Sequence, residues 1–231
     1  MTTNFSISKV SELESKLDYR FKNHELLQEA LSHPSLKQHD PNTKNYEKLE
    51  LLGDSILGFI VTEMIFNQSS KFSEGYIAKV KSYIVSKNIV SEIAASINLA
   101  DYIIMTPGEE KSGGRENINN LENVMEALVA AIYLDSNIQS AKIVVEKFWS
   151  GYLNKINLID IDPKSYLQEL LHQKLSLTPK YEVIERKGNA HCPIFKVKVL
   201  AGSYSAVAFG KSIKEAEKKA AKILADQVSS G

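Results

Sequence analysis

Apolar residues recur at helical spacing through the first two thirds of the chain. Val80, Ile84, Ile89, Ile93 and Ile97 stand four or five apart among polar neighbours. That periodicity predicts a mostly helical part over residues 1–156. Two runs are the most apolar, Tyr46–Met64 and Leu121–Leu134. Pro34 and Pro41 mark a loop before the first run. The stretch Thr106–Arg115, with Pro107, Gly108, Gly113 and Gly114, predicts a loop before the second. No repeat period or low-complexity tract interrupts the pattern.

Beyond a linker at 157–161 the pattern changes. Lys164–Leu175 is amphipathic and predicts a helix, whereas Lys180–Arg186, Pro193–Leu200 and Tyr204–Phe209 carry β-branched and aromatic residues and predict strands. Ser212 is a suitable N-cap for a final helix over Ile213–Val228, which is rich in Ala and Lys. The fold class expected is mostly α: an all-helical domain at 1–156, then a small α+β domain at 162–229 in the order α-β-β-β-α.

Composition narrows the function classes. The chain has 231 residues, 43% hydrophobic and 24% charged, enough apolar material for a packed core and unlike a disordered or collagen-like chain. Cys192 stands alone, so no internal disulfide forms and nothing points to an oxidising compartment. The first residues lack the basic and apolar regions of a signal peptide, and no run is long enough to span a membrane. A soluble, cytoplasmic protein is expected. The net charge of zero hides an asymmetry: residues 161–231 hold 12 Lys and Arg against 7 Asp and Glu, leaving 16 basic and 21 acidic residues in the larger part. A basic domain joined to an acidic one suggests a polyanionic partner for the former.

The acids of the larger part fall on its most apolar helices. On a helix at about 100° per residue, Glu47, Glu50 and Asp54 lie within about 60° of one another. Leu49, Leu52 and Ile56 take the opposite face, and Leu51, Leu57 and Val61 flank the carboxylates. A helix apolar nearly all round is expected to be buried, with its acids in or beside a low-dielectric region. In the second run Asn123 and Glu126 share a face. Two such helices could enclose a hard cation through oxygen ligands, Mg²⁺ or Mn²⁺ but not zinc. The plainer alternative is that these acids only cap helices or form salt bridges. Gly113-Gly114 does not belong to a phosphate-cradling loop.

Together these residues carry a resemblance. Glu47-Lys-Leu-Glu-Leu-Leu-Gly-Asp-Ser-Ile-Leu57 resembles the signature helix of the ribonuclease III family. Ala30-Leu-Ser-His33, Ser86-Lys-Asn88, Gly108–Arg115 and Met125-Glu-Ala-Leu128 follow in the family's order. The resemblance implies a Mg²⁺-dependent endonuclease of double-stranded RNA, with Mn²⁺ as a substitute and no organic cofactor. By residue, it makes Asp54 and Glu126 catalytic and Glu50, Asp54, Asn123 and Glu126 metal ligands. Glu47 and Glu74 match acids placed near the RNA or the partner subunit. The implied chemistry is Lewis-acid activation of water with charge neutralisation at the phosphate. Asn123 departs from the family's usual Asp: its carboxamide can ligate but brings no charge. Glu122 lies about 100° from Asn123 on the helix and is expected to be a poor substitute.

The basic part is similar to the family's double-stranded-RNA-binding domain. Asp162–Glu169 resembles its first helix, Gly188–Phe195 its first inter-strand loop, and Gly210–Ala216 the start of its last helix, although Ile213 replaces a common basic residue. By this analogy Gln168, Glu169 and His191 reach minor grooves, and Lys211, Lys214 and Lys218 cross the intervening major groove. The alternative for the lysines is a solvated helix face. For the whole chain, the resemblance implies a C₂ homodimer cutting both strands of a duplex. Staggered ends with 5′-phosphate and 3′-hydroxyl are expected, on ribosomal RNA precursors and structured messenger RNAs. The contrasting reading is a scaffold that binds double-stranded RNA and keeps the fold without catalysis. Asn123 is its support.

Overall fold

The computed structural model describes residues 7–68, 74–156, 162–188 and 193–230. The chain forms two compact units, Met1–Lys155 and Ile156–Gly231. The expected linker, 157–161, lies outside the described residues.

The first unit is helical: α1 (Ile7–Leu17), α2 (His24–Leu31), α3 (Glu47–Gln68), α4 (Glu74–Ile84), α5 (Lys87–Ser96), α6 (Pro107–Lys111), α7 (Ile118–Asp135) and α8 (Ile138–Leu153). Its centre is α7, where Val124 to Ile132 are buried without interruption. This fits a run with hardly a polar residue. The contact of α3 with α7 is the most extensive between any two elements. Gly53 is the reason they approach so closely: a Cβ there would overlap the backbone carbonyl of Glu126. Trp149, fully buried, donates from Nε1 to the Ile84 carbonyl at 3.3 Å and so ties α8 to the last turn of α4.

Two expectations for this unit are corrected. The Thr106–Arg115 stretch is not wholly a loop, because Pro107 starts a short helix with Thr106 as its N-cap. The Thr106 hydroxyl accepts from the Glu109 N–H at 3.3 Å, and a proline at the first helical turn loses no hydrogen bond. Nor is α3 buried all round. Leu57, Ile60, Val61 and Ile65 are buried, but Leu51 (75%), Phe59 (57%) and Phe66 (67%) are exposed. The apolar run is long enough to serve a core on one side and leave a second stripe uncovered.

The second unit contains α9 (Pro163–Leu175), β1 (Lys180–Lys187), β2 (Ile194–Ala201), β3 (Tyr204–Gly210) and α10 (Ile213–Ser230). The sheet is antiparallel in the order β1-β2-β3, with Val197 opposite both Val183 and Ala208. Gly202, at φ +58°, opens the tight turn between β2 and β3, a position that favours glycine. Val199, Ala201, Ala206 and Ala208 pack against Leu167 and Leu171 of α9 and Ala220, Ala221, Leu224 and Val228 of α10. Small residues on α10 let it lie close to the sheet. At Gly210 a Cβ would stand 2.5 Å from the Ala216 nitrogen. The α-β-β-β-α order matches the expectation. Across the chain no described helix is long and apolar enough to cross a membrane.

Candidate functional site

The α3–α7 contact brings the predicted acids together. Glu126 projects from the buried helix and is 7% exposed. Burial, followed by the carboxylates of Asp54, Glu122 and Glu50, pushes its carboxyl up to about 8, against the pull of Lys87. Glu50 is half-buried, and its carboxyl is raised by burial and then by Glu122, Glu47 and Asp54. Asp54 is exposed, one turn along α3 from Glu50. Of the acids expected in or beside a low-dielectric region, Glu126 is buried and Glu50 half-buried, whereas Asp54 and Glu47 are exposed. Glu47 is exposed and bonded to Lys37 Nζ at 2.7 Å, which holds its carboxyl below the usual range.

Polar residues line the approach of Tyr46 to α7. The Tyr46 hydroxyl donates to Asn120 Oδ1 at 3.3 Å, and Asn123 lies near enough to favour its ionised form. Burial pushes the Tyr46 phenol up to about 12, although the Asn123 contact opposes it. Asn120 in turn donates from Nδ2 to the Gly114 carbonyl at 2.9 Å. On the other side of Tyr46, the ring of His33 meets it edge-on at 5.7 Å. Nε2 of His33 lies 3.7 Å from Glu109, and its Nδ1 accepts from the Ser35 N–H at 3.0 Å. The Ser32 carbonyl accepts from the Tyr46 N–H at 3.0 Å, so the Ala30–His33 segment fixes the entry to α3. Arg115 pins the following loop through Glu110 at 2.6 Å and the carbonyls of Ala100 and Ile103.

Sequence reasoning gave no role to Lys87 or Tyr46 and set Glu122 aside as a poor substitute for an acid at position 123. The Glu122 side chain is 17% exposed, and its carboxylate is among those that raise Glu50 and Glu126. Glu122 and Glu126, four residues apart on α7, lie about 40° apart. Residues four apart share a helix face, and that signal was available. Lys87 was legible only as part of Ser86-Lys-Asn88, and its Nζ lies 3.5 Å from Glu122.

The candidate donors are all oxygen: the carboxylates of Glu50, Asp54 and Glu126 with the carboxamide of Asn123. Burial, and then the neighbouring carboxylates, raise the charged form of Glu126 in energy, and a hard divalent cation would relieve that. The chemistry of these residues fits Mg²⁺ or Mn²⁺. Among the described residues, however, no group of three His, Cys, Asp or Glu converges in a geometry ready to hold an ion. Glu74 is exposed at the first position of α4, and no described contact joins it to the acidic group.

In the second unit Gln168 and Glu169 are exposed on α9. His191 lies outside the described residues. Ser212 caps α10, accepting from the Glu215 N–H at 3.1 Å, while Glu215 accepts from the Lys211 N–H at 2.8 Å. That pair of bonds fixes the start of the helix. Lys211 and Lys214 stand exposed there, and Lys218, one turn beyond Lys214, is half-buried. The arrangement suits a phosphate backbone, through the lysines and the N-terminal dipole together.

Comparison with known proteins gives the family of each unit. Residues 23–153 match the model of the ribonuclease-III-like family and residues 163–226 that of the double-stranded RNA binding motif. Ribonuclease 3 of Rickettsia typhi is 49% identical over 215 residues, covering 92% of this chain and 95% of the relative. That of Rickettsia massiliae is 48% identical over 214 residues, 92% and 94% of the two chains. Among solved structures, the nuclease domain of ribonuclease III from Campylobacter jejuni is similar at a TM-score of 0.59 and 35% identity. It covers 64% of this chain and 97% of that one. The chain belongs to the ribonuclease III family of endoribonucleases, with a double-stranded RNA binding motif following the nuclease unit.

Proposed function

We propose that the protein hydrolyses phosphodiester bonds of double-stranded RNA at the α3–α7 acidic site, with a divalent cation. The observation that carries this reading is the buried Glu126, raised in pKa by burial and then by the carboxylates of Asp54, Glu122 and Glu50, across a helix contact that Gly53 keeps close. Glu50, Asp54, Asn123 and Glu126 would hold Mg²⁺, with Mn²⁺ as a substitute. The chemistry supplied by such a cation, when bound, is acidification of water and neutralisation of charge on the phosphate. The protein's own part is to fix the ligands. Gly53 sets the distance between the two helices, and Tyr46, bonded to Asn120, ties the start of α3 to α7. The products are strands ending in 5′-phosphate and 3′-hydroxyl.

The second unit supplies the grip on the duplex, through Gln168, Glu169 and His191 toward minor grooves and Lys211, Lys214 and Lys218 toward phosphates. This reads shape more than sequence, which suits ribosomal RNA precursors and structured messenger RNAs in the cytoplasm. Two copies act together in a C₂ dimer, so that both strands are cut and the ends are staggered. In support, the exposed Leu51, Phe59 and Phe66 fall on one stripe of α3, within about 80°. A structure of the Campylobacter jejuni nuclease domain is described as having a region involved in dimer formation. Glu47 and Glu74 are assigned to the RNA- or partner-facing rim.

Replacement of Glu126 tests the reading. Glu126→Gln is expected to abolish cleavage of a duplex while its gel shift persists. Unchanged cleavage in that variant would overturn the catalytic assignment. A gel shift by the unsubstituted protein with no cleavage would instead favour a binding scaffold.

A further inference from the structure

On α7, Glu126 has two polar neighbours one turn toward the N-terminus. Asn123 lies about 60° to one side of it and Glu122 about 40° to the other, each within about 6 Å along the axis. Asn123 lies near Tyr46 and carries no charge. Glu122 is largely enclosed and held by Lys87 Nζ at 3.5 Å. Lys87 is the first residue of α5, which packs along α7. Lys87 acts on Glu126 as well as on Glu122, so it stands on the side of α7 that carries the acidic group. Glu122 also lies close enough to α3 to be the strongest like-charged neighbour of Glu50.

We propose that Glu122, held by Lys87, is a further carboxylate of the cation site and supplies the negative charge that the carboxamide of Asn123 does not carry. The inference rests on the cation site proposed above. Asn123 then provides a neutral oxygen, and the site keeps the anionic charge of a set with a carboxylate at position 123. The Lys87 ammonium is a tethered counter-ion for Glu122, at a separation longer than a close ion pair. A divalent cation bound beside Glu126 competes with it for the same carboxylate.

Equilibrium dialysis of the full chain against Mn²⁺ tests this without reference to cleavage. Glu122→Gln is expected to weaken Mn²⁺ binding by about tenfold or more, the effect of one charge at short range. Adding Asn123→Asp to that variant is expected to restore the affinity to within about threefold, which also shows that the fold survives. The inference is overturned if Glu122→Gln binds Mn²⁺ within about twofold of the unsubstituted protein while Glu126→Gln is strongly weakened. It is overturned equally if the Asn123→Asp change restores nothing in a variant whose circular dichroism is unchanged. If the unsubstituted protein itself takes up no Mn²⁺, the cation site falls, and this inference with it.

Discussion

Gly53 of α3 lies against the backbone carbonyl of Glu126, so closely that a single added Cβ would overlap it. This contact sets the separation of the two helices whose acids form the site. Gly53→Ala must part them and is expected to cost about 1–3 kcal/mol, or roughly 2–4 °C of melting temperature per kcal/mol for a unit of this size. Cleavage is expected to fall more steeply than stability, because small misplacements of catalytic groups are costly. Gly151 on α8 is the control: a Cβ there meets nothing within 4 Å, so Gly151→Ala should be neutral or slightly stabilising. Thermal melts and duplex cleavage of both variants check this.

The buried Glu126 makes stability depend on pH. An unfolded carboxyl titrates near 4.5, and burial with its acidic neighbours pushes this one up to about 8 in the folded chain. Below the unfolded value the group is protonated in both states and costs nothing. As pH rises toward and through about 8 the folded state is penalised for holding or gaining the charge. In chelator, Glu126→Gln should therefore melt near the unsubstituted protein at pH 4.5 and progressively above it up to about pH 8, with no further gain beyond. A melting difference that stays constant over that range would contradict the assignment.

The fold was legible where one physical signal dominated. The nearly all-apolar run of α7 predicted a buried helix, and β-branched strands followed by an Ala-rich helix predicted the α-β-β-β-α unit. The departures have local causes. Thr106 and Pro107 together nucleate a turn of helix where prolines and glycines alone suggested a loop. The apolar surface of α3 exceeds what its own core can cover, so burial inferred from composition overstated the enclosure of Asp54. Glu122 was set aside on its angle from Asn123 alone, and the face it shares with Glu126 was not weighed. Tyr46 and Gly53 carry no charge and gave no chemical signal; their roles appear only when α3 and α7 are in contact.

The exposed stripe of α3 should be an interface between copies. Leu51→Asp or Phe59→Asp adds a charge at a position exposed in one copy, so the fold of the unit is expected to remain intact. Sedimentation velocity at micromolar concentration should show the unsubstituted chain as a dimer and these variants as monomers. A monomeric unsubstituted chain would remove the basis for paired cuts.

The lysines of α10 should act through phosphate alone. Replacing Lys214 and Lys218 by Ala is expected to weaken duplex binding about equally across sequences. Each lost phosphate contact should lower the slope of log K against log salt by about 1. Salt titrations of duplex binding by the full chain measure this, and an unchanged slope would return these residues to a merely solvated face.

The most direct measurement is incubation of the purified full chain with an end-labelled, perfectly paired RNA duplex in Mg²⁺, Mn²⁺ or EDTA, resolved on a denaturing gel. The α3–α7 site is expected to give discrete fragments in the metal lanes and none in EDTA. An intact duplex in every lane, from a protein that still shifts that duplex on a native gel, would contradict the account.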